Sequence, residues 1–316
     1  MSRQVIRLRH WLALSALFLL ACAAVLLWST RGLGRHDPKD ASRPVNEIAR
    51  LSAAEYDAAR LRNSLLCLDS LARAKPRQAI GYCDLALKLD PKDITALNLR
   101  GNAHLSLGEN ARAIADFSRA IELSPADPEA YRFRAHSYAV AGFDRLAIAD
   151  YDRAVALAPT DPINLELRGH YYQDRRHYAL AIADFTSVIA LRPRLARAWN
   201  SRCWTRVLSG RNYPAALSDC DEAIRLDPKT ANAFDSRGFV FLRMNRFRFA
   251  IENFDEALRR QAKLASSLFG RGVAKLRLHD PTAPKDLAAA KLIEPAVETR
   301  FLSYGIKVPV TGPSGA

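Results

Sequence analysis

The sequence lacks the short signatures that carry most catalysis. It has no GxSxG elbow, no phosphate-binding glycine loop and no HExxH helix. Cysteine is scarce: five residues in 316 are too few for a small disulfide-built framework, and an odd number leaves at least one unpaired. Acid is in deficit, with 33 Asp and Glu against 47 Lys and Arg, so the formal net charge of +14 makes acidic partners or anionic surfaces worth considering. Apolar residues make up 49% and charged residues 25%, which excludes a wholly disordered or collagen-like chain.

What is present begins with an amino-terminal apolar run. Arg3, Arg7, Arg9 and His10 precede an uncharged stretch from Trp11 to Trp28. As a helix those residues would span about 27 Å, close to the hydrocarbon thickness of a bilayer, with a tryptophan at each interface. Residues 1–28 are therefore expected to be a transmembrane signal anchor, with residues 11–28 in the lipid bilayer. Two rival readings are cleavage at Ala21-Cys22-Ala23 and a lipoprotein box, Leu19-Leu20-Ala21-Cys22, acylated at Cys22. The apolar Ala-Ala-Val-Leu-Leu-Trp that follows argues against both, because mature termini turn polar at once. Charge alone does not fix the orientation, since Arg31, Arg35 and Lys39 lie just beyond the run. Residues 29–50, mixed in charge and without an apolar period, read as a linker.

The remainder repeats. Pro91, Pro125, Pro159 and Pro193 are 34 residues apart, and Pro228 follows after 35. Each closes a Leu-x-Pro triplet that follows an amphipathic run with apolar residues at i, i+3, i+4 and i+7, the period of a helix. A second helical run precedes it, with Gly108, Gly142, Gly210 or Asn245 at the turn between the two. Numbering each unit so that the proline is position 32, Ala113, Ala147, Ala181, Ala216 and Ala250 stand at position 20. Phe117, Tyr151, Phe185 and Phe254 stand at position 24, and Gly101, Ala135, Gly169, Gly238 and Gly272 at position 8.

These landmarks resemble the tetratricopeptide repeat over about residues 60–297. The units are 60–93, 94–127, 128–161, 162–195, 196–230, 231–264 and 265–297. The resemblance implies an all-α solenoid, a right-handed superhelix of helix-turn-helix units over residues 51–306. Stacked units share a continuous core and present a concave groove rather than a closed pocket. The segment Ala-Val-Glu-Thr-Arg-Phe-Leu-Ser-Tyr-Gly-Ile is long enough for one helix capping the last unit, and residues 307–316 read as a flexible tail.

Antiparallel helices within a unit bring position 8 opposite position 24. In the first unit these positions hold Cys67 and Cys83, and in the fifth Cys203 and Cys220. One reading is two disulfides, each clamping its own helix pair and requiring an oxidising compartment. The other is reduced core cysteines, a common fate of free Cys. Zinc is not indicated, because no His lies at suitable spacing. Position 7 carries Arg100, Arg134, Arg168, Arg202, Arg237 and Arg271, and position 23 carries Asp116, Asp150, Asp184, Asp219, Asn253 and Asp286. The first unit lacks both, so each Arg is expected to pair with its own unit's Asp. A stripe of paired charges does not suit nucleic acid, which needs free cations tracking phosphates.

The resemblance further implies that positions 2, 5, 9 and 12 of each first helix line the groove. Asn102, Arg132, His136 and His170 make its first half polar, whereas Trp204, Val207, Phe239 and Leu242 form an apolar patch. That patch suits apolar side chains of a peptide or partner helix, or else the chain's own capping helix. The family's carboxylate clamp does not carry over: Asn102 and Arg132 fit it, but Glu166 and Asp235 would repel a carboxylate. The expectation is a non-catalytic, membrane-tethered scaffold for an unidentified protein or peptide partner, without a cofactor. Arg outnumbers Lys by 37 to 10, a bias usual in GC-rich bacterial genomes, so the expected site is a bacterial inner membrane with the solenoid in the periplasm. The alternative is a basic adaptor binding an anionic polymer or lipid headgroups.

Overall fold

The computed structural model describes residues 53–309. The transmembrane segment, the whole linker and residues 310–316 of the tail therefore lie outside the described residues. Among the described residues the chain is all helical, and no helix is long and apolar enough to cross a membrane.

Two compact units divide at Ala158–Pro159. The first contains α1 (Ala53–Ala72), α2 (Pro76–Leu89), α3 (Ile94–Ser106), α4 (Asn110–Leu123), α5 (Pro128–Ala141) and α6 (Asp144–Leu157). The second contains α7 (Pro162–Asp174), α8 (Tyr178–Leu191), α9 (Ala196–Ser209), α10 (Tyr213–Leu226), α11 (Ala231–Arg243), α12 (Phe247–Arg260), α13 (Ala265–Arg277), α14 (Ala283–Ile293) and α15 (Val297–Ser303). Within each unit consecutive helices pack as antiparallel pairs, and first helices also touch first helices: α1 on α3, α9 on α11 and α11 on α13.

Local chemistry explains the punctuation. Asp93, Asp127 and Asp161 cap α3, α5 and α7, each side chain accepting a backbone N–H of the first turn, and α5 and α7 begin with proline. Proline costs nothing there because its missing N–H would have no helical partner. At the tight turns inside the pairs, Gly108, Gly142 and Gly210 take φ between +70° and +83°, where a Cβ would crowd the following carbonyl. Asn245 adopts the same left-handed backbone.

The core is built from small residues laid over aromatic rings. A Cβ added at Gly238 would stand 2.6 Å from the Phe254 ring, and one at Gly270 would stand 2.3 Å from the same ring. Glycine on both sides lets one phenylalanine fill the space between two first helices. Ala79, Ala113, Ala147, Ala181, Ala216 and Ala250 are all fully buried where second helices approach their neighbours.

The carboxy-terminal cap is shorter than the sequence expectation. Only Val297–Ser303 is helical. Gly305 then turns at φ +75° and brings Ile306 back against the core, where it is buried with Val297 and Phe301.

Candidate partner-binding face

The two cysteine pairs meet. Sγ of Cys67 lies 2.11 Å from Sγ of Cys83, and that of Cys203 lies 2.01 Å from that of Cys220, with Cα atoms 5.5 Å apart in both pairs. All four residues are fully buried. Each bridge replaces the small-over-aromatic contact made elsewhere by Gly101 and Phe117, so covalent closure takes the place of a ring at the same level.

Arginines and aspartates also meet as paired rungs. Arg100–Asp116 (2.6 Å), Arg134–Asp150 (2.7 Å), Arg168–Asp184 (2.7 Å), Arg202–Asp219 (2.7 Å) and Arg271–Asp286 (2.6 Å) each join the two helices of one pair. Arg237 donates instead to the Asn253 amide oxygen at 2.7 Å. The five carboxylates are almost wholly enclosed, so these are buried charges held by forked donors rather than surface pairs. Hydrogen bonding to Asp116 is the largest cause holding the Arg100 guanidinium above its ordinary range, and Asp150 and Asp286 do the same for Arg134 and Arg271. Burial pushes Asp286 up, but Arg271 and Lys275 outweigh it and hold the carboxyl below its usual range.

A second partner was not anticipated from the sequence. Arg100 also donates to Asp84 (2.7 Å), Arg134 to Ser118 (3.1 Å), Arg202 to Thr186 (3.0 Å), Arg237 to Asp221 (2.7 Å) and Arg271 to Asp255 (2.6 Å). Every one of these acceptors lies 16 residues earlier, on the preceding helix pair. A polar residue recurs at that offset, but in the preceding unit, where matching positions within one unit does not reach. The rungs therefore tie neighbouring pairs together as well as the helices within a pair.

On the inner faces the expected groove residues divide into two sets. In the first unit Asn102, Arg132 and His136 are half-buried along α3 and α5. Arg132 donates to Glu129 at 2.8 Å and lies over the Phe133 ring. Asn98, one turn before Asn102, holds a buried amide oxygen without a hydrogen-bond partner among the described residues. In the second unit Asn200 occupies the equivalent place on α9, and its amide oxygen is likewise buried and unpartnered. His170 sits edge-on to Phe185 at 5.0 Å.

The carboxylates that weighed against a clamp are satisfied internally. Arg197 binds Glu166 at 2.8 Å, and the Ser267 hydroxyl donates to Asp235 at 2.5 Å. Burial pushes the Asp235 carboxyl up to about 6, against the opposing effect of the Ser267 and Ser266 hydroxyls and the charge of Arg300.

Trp204, Val207, Phe239 and Leu242 do not form an open patch. Val207, Phe239 and Leu242 are buried, and Trp204 packs edge-on against Phe239, Phe301 and Tyr304. Phe301 lies between Phe239 and Phe269, stacked on each at 4.7 and 4.9 Å. Arg243 donates to the Tyr304 and Gly305 carbonyls and holds the cap in place. The expectation of an apolar receptor for a partner is corrected: the chain's own carboxy-terminal segment already occupies it, which removes those side chains from water. No group of three or more His, Cys, Asp or Glu among the described residues is arranged to hold a metal ion.

Comparison with known proteins follows the same lines. A TPR-repeat family model matches residues 101–142, and a tetratricopeptide-repeat model matches residues 167–231. No curated protein matches the sequence. Among solved structures, a tetratricopeptide repeat protein from Parabacteroides merdae is 17% identical with a TM-score of 0.63, covering 78% of this chain and 98% of its own. PilW, a widely conserved type IV pilus biogenesis factor, is 19% identical with a TM-score of 0.58, covering 66% and 96%. PilF of Pseudomonas aeruginosa is 16% identical with a TM-score of 0.54, covering 68% and 99%. At these identities the likeness is one of fold.

Proposed function

The chain is a tetratricopeptide-repeat protein, and from that premise we propose that it is a membrane-tethered scaffold that grips an extended segment of a partner protein along its inner helical faces. One observation carries the reading. Asn98 and Asn200, at equivalent positions on α3 and α9, each hold a buried amide oxygen with no hydrogen-bond partner among the described residues. Buried polar atoms are nearly always satisfied, so an orphaned acceptor marks a place for a donor from outside. A peptide backbone offers N–H donors whatever its sequence, which suits a scaffold without chemistry of its own.

The surroundings of that function are part of the proposal. Residues 11–28 tether the chain to a bacterial inner membrane. The two disulfides belong to an oxidising compartment, so the repeats stand in the periplasm. The fold likeness to a pilus biogenesis factor fits a role in building envelope structures.

A photo-crosslinking residue at Asn98 and, separately, at Asn200 in native membranes tests the reading. Each position should give an adduct with a partner protein, and the exposed position of Arg119 should give none. Equal adducts from all three positions would remove the inner face from consideration. Release of the intact chain from membranes by an alkaline wash would remove the tether while leaving the groove untouched.

A further inference from the structure

The basic excess of the chain is not spread evenly. Residues 45–158 carry 15 Lys and Arg and 15 Asp and Glu, whereas residues 159–309 carry 25 against 16. The repeats' whole positive charge therefore belongs to the second compact unit.

Within that unit the charge gathers at one edge. The turns inside the four helix pairs, with the helix ends they join, comprise residues 174–180, 209–215, 243–249 and 277–285. Because α8 packs on α9, α9 on α11 and α11 on α13, these turns follow one another along the same side. Together they hold eight Lys and Arg, two His and only two acids, Asp174 and Asp280. Asp280 is occupied, accepting the backbone N–H and the hydroxyl of Thr282. Arg176, Arg211, Arg246, Arg248, Arg277 and Lys285 are all exposed, and none has a carboxylate partner among the described residues. This contrasts with the enclosed arginine rungs of the same unit. Arg176 and His279 even take left-handed backbone, φ +63° and +57°, at turn positions that Gly108 and Gly142 fill in the first unit. A polar side chain is kept at the tip where glycine would be sterically easier.

Apolar side chains stand among these cations. Leu180 is 50% exposed in the first turn of α8, Phe249 is 51% exposed in the first turn of α12, and Leu278 is 40% exposed beside Arg277. Exposed cations alone fit any polyanion. Cations interleaved with exposed leucine and phenylalanine fit a lipid surface, where arginine meets headgroup phosphate while the apolar side chains enter the acyl boundary. Leucine offers nothing to stack on a nucleic-acid base.

We propose that this turn edge of the second unit is a docking surface for an anionic lipid bilayer, with Arg176, Arg211, Arg246, Arg248, Arg277 and Lys285 binding phosphate and Leu180, Phe249 and Leu278 inserting at shallow depth. The inference does not require the anchor at residues 11–28. An anchor would hold the chain to any bilayer, whereas the edge distinguishes anionic from neutral lipid.

The test places a reporter on the edge. Phe249→Trp in the full-length chain is mixed with vesicles containing brominated acyl chains, made either from phosphatidylcholine alone or with about one third phosphatidylglycerol. The wild-type chain, including Trp11 and Trp28, supplies the background, so insertion of the anchor is read separately from contact at the edge. Emission from the added tryptophan should fall by about twofold or more with the anionic vesicles. It should stay unquenched with neutral ones and recover as salt is raised. Reversal of Arg176, Arg211, Arg246 and Arg248 to Glu should abolish the quenching. Should that variant misfold, the salt titration of the single-substitution chain decides. Equal quenching by neutral and anionic vesicles, or none by either, would overturn the proposal. So would binding of long-chain polyphosphate at the edge, read as a shift of the added emission, without quenching by anionic lipid.

Discussion

Phe301 on the short terminal helix stacks on Phe239 of α11, ring centroids 4.7 Å apart and planes inclined by 17°. Both rings are fully buried, so this one contact closes the end of the second unit's core. Phe301→Ala should lower stability by about 3–5 kcal/mol through lost burial and an unfilled cavity. Urea unfolding read by Trp fluorescence checks the magnitude, because Trp204 packs directly against Phe301. An unchanged midpoint would mean the cap does not contribute to the core.

Arg134 and Asp150 test the ladder. The carboxylate of Asp150 is about 10% exposed and is bonded by both Nε and Nη2 of Arg134. Arg134→Met keeps the aliphatic stem but strands the charge, and should cost about 3 kcal/mol or more. The double change Arg134→Met with Asp150→Leu should recover most of that loss, as a double-mutant cycle in chemical denaturation would record.

A pair of glycine substitutions separates crowding from helix propensity. Gly238→Ala would place a methyl 2.6 Å from the Phe254 ring and should destabilise by about 1–3 kcal/mol. Gly81→Ala, in α2 with nothing within 4 Å, should stabilise by about 0.5–1 kcal/mol. Thermal melts of the two variants should move in opposite directions.

Asp235 gives a pH dependence with a definite sign. Its folded carboxyl is raised to about 6. Its contribution to stability is therefore fully present below the ordinary aspartate range and is lost as pH rises through 6. Asp235→Asn keeps an acceptor for the Ser267 hydroxyl and does not ionise. Relative to the wild type it should gain about 3 kcal/mol between about pH 4 and pH 7, with a constant difference above that. Parallel unfolding curves whose difference is the same at both ends of that window would show that the carboxyl titrates normally.

The disulfides invite a direct measurement. Cys203→Ala with Cys220→Ala opens a loop of 17 residues; the chain-entropy estimate for such a loop is about 3 kcal/mol. Alkylation of the protein without reductant should leave Cys67, Cys83, Cys203 and Cys220 unmodified, and mass spectrometry reads the count.

Much of this was legible because the repeat period is rigid. Once prolines and alanines fix a register, residues at one position share one environment, which is why Cys67 faces Cys83 and Arg100 faces Asp116. The fate of Trp204 and Phe239 was not legible in the same way. Period and slot assign them to an inner face, but whether that face is open depends on where a non-repeating tail folds, and no register governs Phe301 or Ile306. The second partners of the arginines were hidden for a simpler reason. Matching positions within one unit cannot find them, because Asp84 and Asp255 serve the unit that follows.

Those second partners bear on how such a chain grows. Each rung reaches 16 residues back and 15 to 17 residues forward. A whole 34-residue segment copied or excised by recombination carries an acceptor to its new junction along with its own arginine. Gene duplication can then lengthen or shorten the array without stranding a buried charge at the seam.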